Sequence, residues 1–432
     1  MIKPLLVNAY DPKGGAGAAR AAYRLHQELL RLKIDSQMLI QDKRIADSTV
    51  VSSPNKVAKI IWKARPIVNA LPLKLYRNRQ RKPEFFRLQW LPNTVASQIA
   101  RLEPDIINLH WICDGFIPIE ALAKFNKPIV WTFHDTWAFT GGCCYSLGCD
   151  RYTKSCGSCP QLGSKHSWDL SRWVWQRKTK AWQNLKLTIV APSNWLAECA
   201  KSSSLFSNSD IRVIPHGLDI SIYKPTKTQV ARNLLSLPQN KQLILFGAIN
   251  ATSNFRKGFD LLQSALQRLS QSEWKDQIEL IVFGSSQPQD SVDLGFKVHY
   301  LGKVDDEDKL ALIYASADVM IVPSIEEAYG LTACESLSCG TPVVCFDSTG
   351  LKDIVEHQKN GYRAQCFSCD DLANGIIWVI ENKERHQKLC DRAREKAEQE
   401  FTIELQAHRY LSLFEEVANI NLTTTNYELT TF

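Results

Sequence analysis

"PSIEEAYGLTACESLSCGTPVV", residues 323–344, decides how the rest of the chain is read. The apolar run "DVMIVPS" leads into it as a strand, and Gly330 to Ser338 reads as a helix. Gly340 and Pro342 stop that helix before the next apolar run, "PVVCFDS". Glu327 then stands in the loop at the helix mouth, and Glu335 lies inside the helix, where a carboxylate can accept both neighbouring hydroxyls of a ribose. The amides of Gly330, Leu331 and Thr332 are positioned to meet phosphate oxygens at the same mouth. Read singly, either glutamate is equally a surface or helix-face carboxylate. The neighbours Ala333, Cys334, Leu337 and Cys339 imply partial burial for Glu335, where an unpaired carboxylate is expensive.

The same alternation of short β-branched runs with helical patterns continues in both directions, and it predicts parallel sheets covered by helices on both faces. Strand candidates in the first half are "PLLVNAY", "SQMLIQ", "DIINLHW", "PIVWTFHD", "LTIVAPS" and "IRVIPHG". In the second half they are "LILFGAI", "IELIVFG", "KVHYLG", "DVMIVPS", "PVVCFDS" and "GYRAQC". Two six-strand sets imply an α/β protein of two doubly wound, Rossmann-like domains, residues 1–218 and 219–400, facing each other across a cleft. Ligands of such sheets bind outside the carboxyl ends of the strands. The amphipathic stretch 401–419 could return to pack on the first domain, and the polar tail 420–432 is expected to fray.

A length of 432 residues, 44% hydrophobic and 22% charged, fits a globular chain of two domains. No apolar run approaches the roughly 18 residues of a membrane span, and thirteen scattered cysteines suit a reducing compartment, so the expected location is the cytoplasm. The net charge of +7 hides an asymmetry: residues 1–215 hold 31 Lys/Arg against 15 Asp/Glu, and residues 216–432 hold 21 against 30. Residues 56–87 hold ten Lys/Arg against Glu84 alone, interleaved with apolar and aromatic residues. Such a stretch suits an anionic membrane surface or an acidic lipid-linked substrate, and equally a solvated basic face. No nucleic-acid motif accompanies it.

Two more segments could meet phosphate. Gly14, Gly15 and Gly17 lie between the first strand and a helix, where backbone amides can approach a phosphate or sugar of the donor; the Walker and dinucleotide spacings are absent, and a plain tight turn is an equal reading. Arg256 and Lys257 immediately precede a helical pattern, where cations oppose the macrodipole by roughly 0.3–1 kcal/mol each and call for a compensating anion. A bound diphosphate would supply it, and the two cations could neutralise a diphosphate leaving group without a metal ion.

Taken with "NLHW", "TFHD", "VAPSNWLAE", "VIPHGLDISIYKP", "RKGFDLL", "VHYLGKV" and "NGYRA", these segments strongly resemble the glycosyltransferases of family 4 over nearly the whole chain. The resemblance implies a GT-B fold and a retaining, nucleotide-sugar-dependent enzyme with no cofactor needed for catalysis. It implies that Glu335 holds the donor ribose, that Glu327 lies beside the donor sugar, and that Arg256 and Lys257 grip the diphosphate. It further implies that His134 approaches the sugar near the reacting carbon; His110 reads as structural or acceptor-side. The usual Gly-Arg after the second domain's first strand is Gly247-Ala248 here, and the usual Asn-Gly-x-Asp is His216-Gly217-Leu218-Asp219. The implied partners are a nucleotide-diphosphate sugar and a glycan or lipid-linked glycan of a surface or exported polysaccharide. A non-catalytic binding protein, or a nucleotide-sugar epimerase or hydrolase, remains open.

Between "TFHD" and "CPQLGSKHSW" fall Cys143, Cys144, Cys149, Cys156 and Cys159. A Cys-x-x-Cys at 156–159 with a thiolate pair upstream, read as Cys143 and Cys149, has the count of a tetrahedral structural zinc. A labile disulfide and free thiols are the alternatives. Similar loops occur in a branch of the resembled family associated with exopolysaccharide and colanic-acid-type synthesis.

Overall fold

The computed structural model describes residues 2–15, 17–52, 56–77, 79, 86–247, 254–284 and 293–418, with the backbone alone for 56–61. Two compact units emerge. The first comprises residues 1–191, 197–214 and 406–432, and the second residues 192–196 and 215–405.

In the first unit the strands are β1 (Pro4–Tyr10), β2 (Gln37–Asp42), β3 (Val50–Val51), β4 (Ile106–Leu109), β5 (Ile129–Thr132), β6 (Leu187–Ala191) and β7 (Asp210–Val213). They form one parallel sheet in the order β3-β2-β1-β4-β5-β6-β7. Seven strands stand where the pattern predicts six, because the two-residue β3 at the sheet edge is too short to leave a periodic trace. β4 and β5 are buried at every position, as expected of strands covered on both faces.

The second unit holds β8 (Gln242–Gly247), β9 (Ile278–Phe283), β10 (Val298–Gly302), β11 (Val319–Val322), β12 (Val343–Phe346) and β13 (Gly361–Ala364), parallel in the order β10-β9-β8-β11-β12-β13. Its two cores lie on opposite faces of that sheet. Leu243, Leu245, Met320, Val343 and Cys345 point to one, and Ile244, Phe246, Ile321, Val344 and Phe346 to the other, following the two-residue period of each strand.

Strand order reverses between β1 and β4 in one sheet and between β8 and β11 in the other. Those reversals open a crevice at the carboxyl ends, so loops leaving these strands are where ligands fit.

Five helices bear on the site and its surroundings: α1 (Gly17–Arg31), α2 (Leu170–Trp182), α3 (Phe259–Leu269), α4 (Leu331–Ser338) and α5 (Ile403–Ala418). From Gln406 onward α5 belongs to the first unit. Ala407, Tyr410, Leu413 and Phe414 join the core containing Leu6, Ile40 and Val190, and the Tyr410 hydroxyl meets Thr132 Oγ1 at 2.8 Å. The units divide at 214/215 instead of 218/219. Leu218 is tied into the second unit, its N–H donating to Phe401 O (2.7 Å) and its carbonyl accepting from Ile403 N–H (2.9 Å). No helix among the described residues is long and apolar enough to cross a membrane. The tail 420–432, Ala248 and part of the basic stretch 56–87 lie outside the described residues.

Candidate active site

In the second unit, the chain leaving β8 forms a one-turn 3-10 helix at Phe255–Lys257, whose Arg256 N–H is capped by Asn254 Oδ1 at 3.2 Å. Gly258 follows with φ +70 and begins α3; a Cβ there would run into the carbonyl oxygen of Pro323, at the end of β11. Glycine thus lets the two switch-point loops touch, and Ile325 N–H donates to Arg256 O at 2.8 Å across that contact. Arg256 and Lys257 are therefore held by the turn before the helix, with Gly258 between them and its first residue, Phe259.

Both cations converge on Glu327. Arg256 Nη1 lies 3.2 Å from Glu327 Oε2 and donates to the Glu326 carbonyl at 2.6 Å, while Lys257 Nζ is bonded to Glu327 Oε1. Ser324 Oγ donates to the same Oε1 at 3.1 Å, and Glu327 N–H donates to Thr349 Oγ1 at 3.2 Å. Although burial raises the carboxyl, Lys257 and Arg256 outweigh it and hold Glu327 down at about 2. Burial pulls the Lys257 ammonium downward against the opposing pull of Glu327. The compensating anion that the cation pair calls for is thus this glutamate, so a diphosphate is not required to explain the pair. Two cations on one carboxylate still leave the site electropositive.

Beside it, α4 opens at Gly330 with φ +120 and no side-chain cap. A Cβ at Gly330 would stand 2.6 Å from Leu351 Cδ2. Lys257, Ser324 and Thr332 line a small cavity with Phe246, Gly247 and Pro323 at the ends of β8 and β11. Leu331 and Thr332 begin the first turn of α4, and Thr332 lines this cavity. Glu335 lies just over one turn into α4, 2% exposed, with Oε2 accepting from Tyr314 OH at 2.9 Å. It is more deeply covered than its neighbours alone predict.

In the first unit, the loop after β1 is organised by Asp11, a residue without a periodic or motif signal. Its carboxylate accepts from Gly14 N–H at 2.8 Å, from Ile45 N–H at 2.9 Å and from Arg44 N–H. Gly15 is needed for close packing: a Cβ there would meet the Cβ atoms of Ala19 and Tyr10. Gly17 opens α1.

His134 stands two residues past β5 and His110 one residue past β4, on adjacent strands. Asn108 Nδ2 donates to Val130 O at 3.2 Å and Thr132 Oγ1 at 3.0 Å, which leaves its Oδ1 to accept from His110 Nε2 at 2.9 Å. With the proton on Nε2 and the ring neutral, His110 would accept at Nδ1 from His134 Nε2–H; the two nitrogens lie 2.9 Å apart. This chain sets His134's ring and tautomer, a role for His110 that sequence spacing did not supply. Asp135 is buried and accepts from Trp111 Nε1 (2.9 Å) and Trp137 N–H (2.8 Å); burial raises its carboxyl.

Cys143, Cys149, Cys156 and Cys159 line one cavity, and Cys144 does not. Cys144 instead donates to Asp135. All thirteen cysteines are unpaired by disulfides. Burial pushes the Cys156 thiol up to about 12 and Cys159 up to about 11. Lys178 on α2, fully buried, donates to Thr140 O at 3.0 Å and to Trp137 O, with Nζ 3.7 Å from the centre of the Trp137 ring; burial lowers its ammonium to about 7.

Residues 15–222 match the family model described as Glycosyltransferase Family 4, and residues 234–399 the model described as Glycosyl transferases group 1. With the two parallel-sheet units, these consecutive matches define the class by similarity: the chain has the GT-B fold, and its two halves are similar to these two glycosyltransferase families. Among curated relatives, it is 25% identical over 369 residues to the Escherichia coli K12 protein WcaC, a glycosyl transferase assigned to colanic acid biosynthesis, covering 80% of this chain and 83% of WcaC. Other curated glycosyltransferases match over shorter stretches, with 47%, 55% and 38% of their own length spanned. Sucrose-phosphate synthase from Thermosynechococcus elongatus shares the fold at a TM-score of 0.69 and 18% identity, over 98% of this chain and 100% of that one. Anabaena Alr3699/HepE, solved in complex with UDP-glucose, does so at 0.63 and 17%, over 96% and 100%.

Proposed function

We propose that this chain moves a sugar, with retention of anomeric configuration, from a nucleoside diphosphate donor to a glycan or lipid-linked glycan acceptor. The observation that carries the reading is the Arg256–Glu327–Lys257 group beside the uncapped start of α4. Two cations, one carboxylate and first-turn amides suit a diphosphate, whose charge grows as the glycosidic bond breaks. In this reading the departing diphosphate helps deprotonate the acceptor hydroxyl. Glu327 keeps Lys257 and Arg256 in place beside the sugar, Glu335 serves the ribose, and His134 approaches the reacting carbon. The protein's share is positioning and stabilisation of the leaving charge.

The UDP-glucose captured by HepE supports UDP as the first nucleotide to try, and the assignment of WcaC supports an exported polysaccharide as the acceptor class. Exposed Ile67, Leu71 and Leu75, four residues apart along the chain and flanked by exposed Lys63, Lys74 and Arg77, support contact with an anionic membrane surface.

The test is a melting-temperature series with UDP, GDP, ADP, CDP and dTDP on the wild type and an Arg256→Ala/Lys257→Ala variant. A ligand at a hundred times its Kd adds about 2.7 kcal/mol. One nucleotide should raise the wild-type Tm and leave the variant unmoved. No shift with any of them would overturn the donor-site assignment, and donor hydrolysis that no acceptor accelerates would favour a hydrolase instead.

A further inference from the structure

The loop between His134 and α2 carries four thiols that sugar transfer does not use. Backbone amides are aimed at two of these sulfurs. Gly141 N–H donates to Cys156 Sγ at 3.1 Å, and the backbone N–H groups of Gln161 and Leu162 donate to the Cys159 sulfur. Amides aimed at sulfur are the kind of outer contact that orients metal-ligating cysteines.

The backbone that presents these sulfurs is fixed from outside the cluster. Asp169 caps α2 through Ser171 N–H and Arg172 N–H, and its other oxygen accepts from Cys159 N–H at 2.7 Å. Ser171 Oγ accepts from Gly157 N–H at 2.8 Å, and Arg151 O accepts from Cys156 N–H at 3.0 Å. Gly141 has no room for a side chain, since a Cβ would collide with Ser171 O and stand 2.9 Å from Cys156 Cβ. Two cations adjoin the group: Arg151 on the cavity wall, and Lys178, whose ammonium holds the Thr140 carbonyl at 3.0 Å.

We propose that Cys143, Cys149, Cys156 and Cys159 close on one divalent ion of the zinc class, in an all-sulfur tetrahedral site that staples this loop to the start of α2. Four thiolates around a divalent ion carry net negative charge, which Lys178 and Arg151 offset. Soft sulfur ligands with tetrahedral freedom select zinc over the harder cations. Among the described residues no group of three or more His, Cys, Asp or Glu could hold a metal ion as the side chains now stand. Binding therefore needs the thiol side chains to rotate inward on this fixed backbone and releases their protons. Cys144, turned to Asp135, is outside the set. This inference is independent of the donor-site reading.

The experiment is metal analysis of the full chain purified without chelator, followed by cobalt substitution. About one zinc per chain is expected, and the cobalt form should show the intense visible bands and sulfur-to-metal charge transfer of a tetrahedral thiolate site. Cys144→Ser should keep the metal, and Cys156→Ser should lose it. Because Cys156→Ser could fail to fold, the cobalt spectrum of the wild type decides by itself. A chain without zinc that shows no cobalt–thiolate bands overturns the proposal. In that case, an intact mass short of the thiol hydrogens would assign the cluster to disulfides, and full reactivity toward a thiol reagent would assign it to free cysteines.

Discussion

Glu327 is a buried carboxylate with two cationic partners, and its titration reflects them. Its folded pKa of about 2 lies below the ordinary glutamate value, so the ion pairs add stability above about pH 4 that is lost as pH falls toward 2. The wild type should therefore lose at most about 3 kcal/mol through this group over that window. In Glu327→Gln that part of the acid limb should vanish, as urea unfolding at a series of pH values would show. An unchanged limb would mean that the pairs do not form. For the histidines, His134→Ala should cut turnover by about 100-fold or more while leaving the nucleotide-induced Tm shift intact. His110→Gln, which retains an acceptor for His134 Nε2–H, should keep more activity than His110→Leu. Equal losses in both would reduce His110 to a packing residue.

Among the elements, α4 and α5 make the sharpest demands. Gly330 holds φ +120 against Leu351, so Gly330→Ala should cost more than about 1 kcal/mol and weaken nucleotide binding together with stability. Retention of the nucleotide shift in this variant would separate the start of α4 from the phosphate. α5 contributes Phe414, fully buried in the first unit's core, and Phe414→Ala should cost about 3–5 kcal/mol by urea unfolding. A loss under 1 kcal/mol would show that α5 docks weakly in solution. Its return was visible as an amphipathic pattern after the last strand. The core it enters was not visible, because Leu6, Ile40 and Val190 lie hundreds of residues upstream.

For the molecule as a whole, charge is unevenly spread, with a basic first half and an acidic second. Exposed Ile67, Leu71 and Leu75 beside Lys63, Lys74 and Arg77 give that asymmetry a surface. The chain should co-sediment with vesicles rich in phosphatidylglycerol, less so at high salt, and an Ile67→Ser/Leu71→Ser/Leu75→Ser variant should remain in the supernatant. Equal binding to neutral vesicles would remove charge from the explanation.

The fold was legible because its causes are local. Apolar runs such as "DVMIVPS" and "PVVCFDS", separated by a helix with glycine at both ends, state a strand, its handover and a parallel neighbour within thirty residues or so. The seventh strand was not legible, since Val50–Val51 is only a pair of residues. In the site, chain order alone specifies which side chains come after which strands: Arg256 and Lys257 after β8, Glu327 after β11, His134 after β5. Their partners are set by tertiary structure. Lys257 meets Glu327 because β8 and β11 pair across the switch point, His110 meets His134 because β4 adjoins β5, and Cys144 parts from Cys143 because its thiol meets Asp135. Periodicity along a chain specifies faces, but which faces meet depends on strand order, and the hydrogen bonds and charges that tune a site are made between strands.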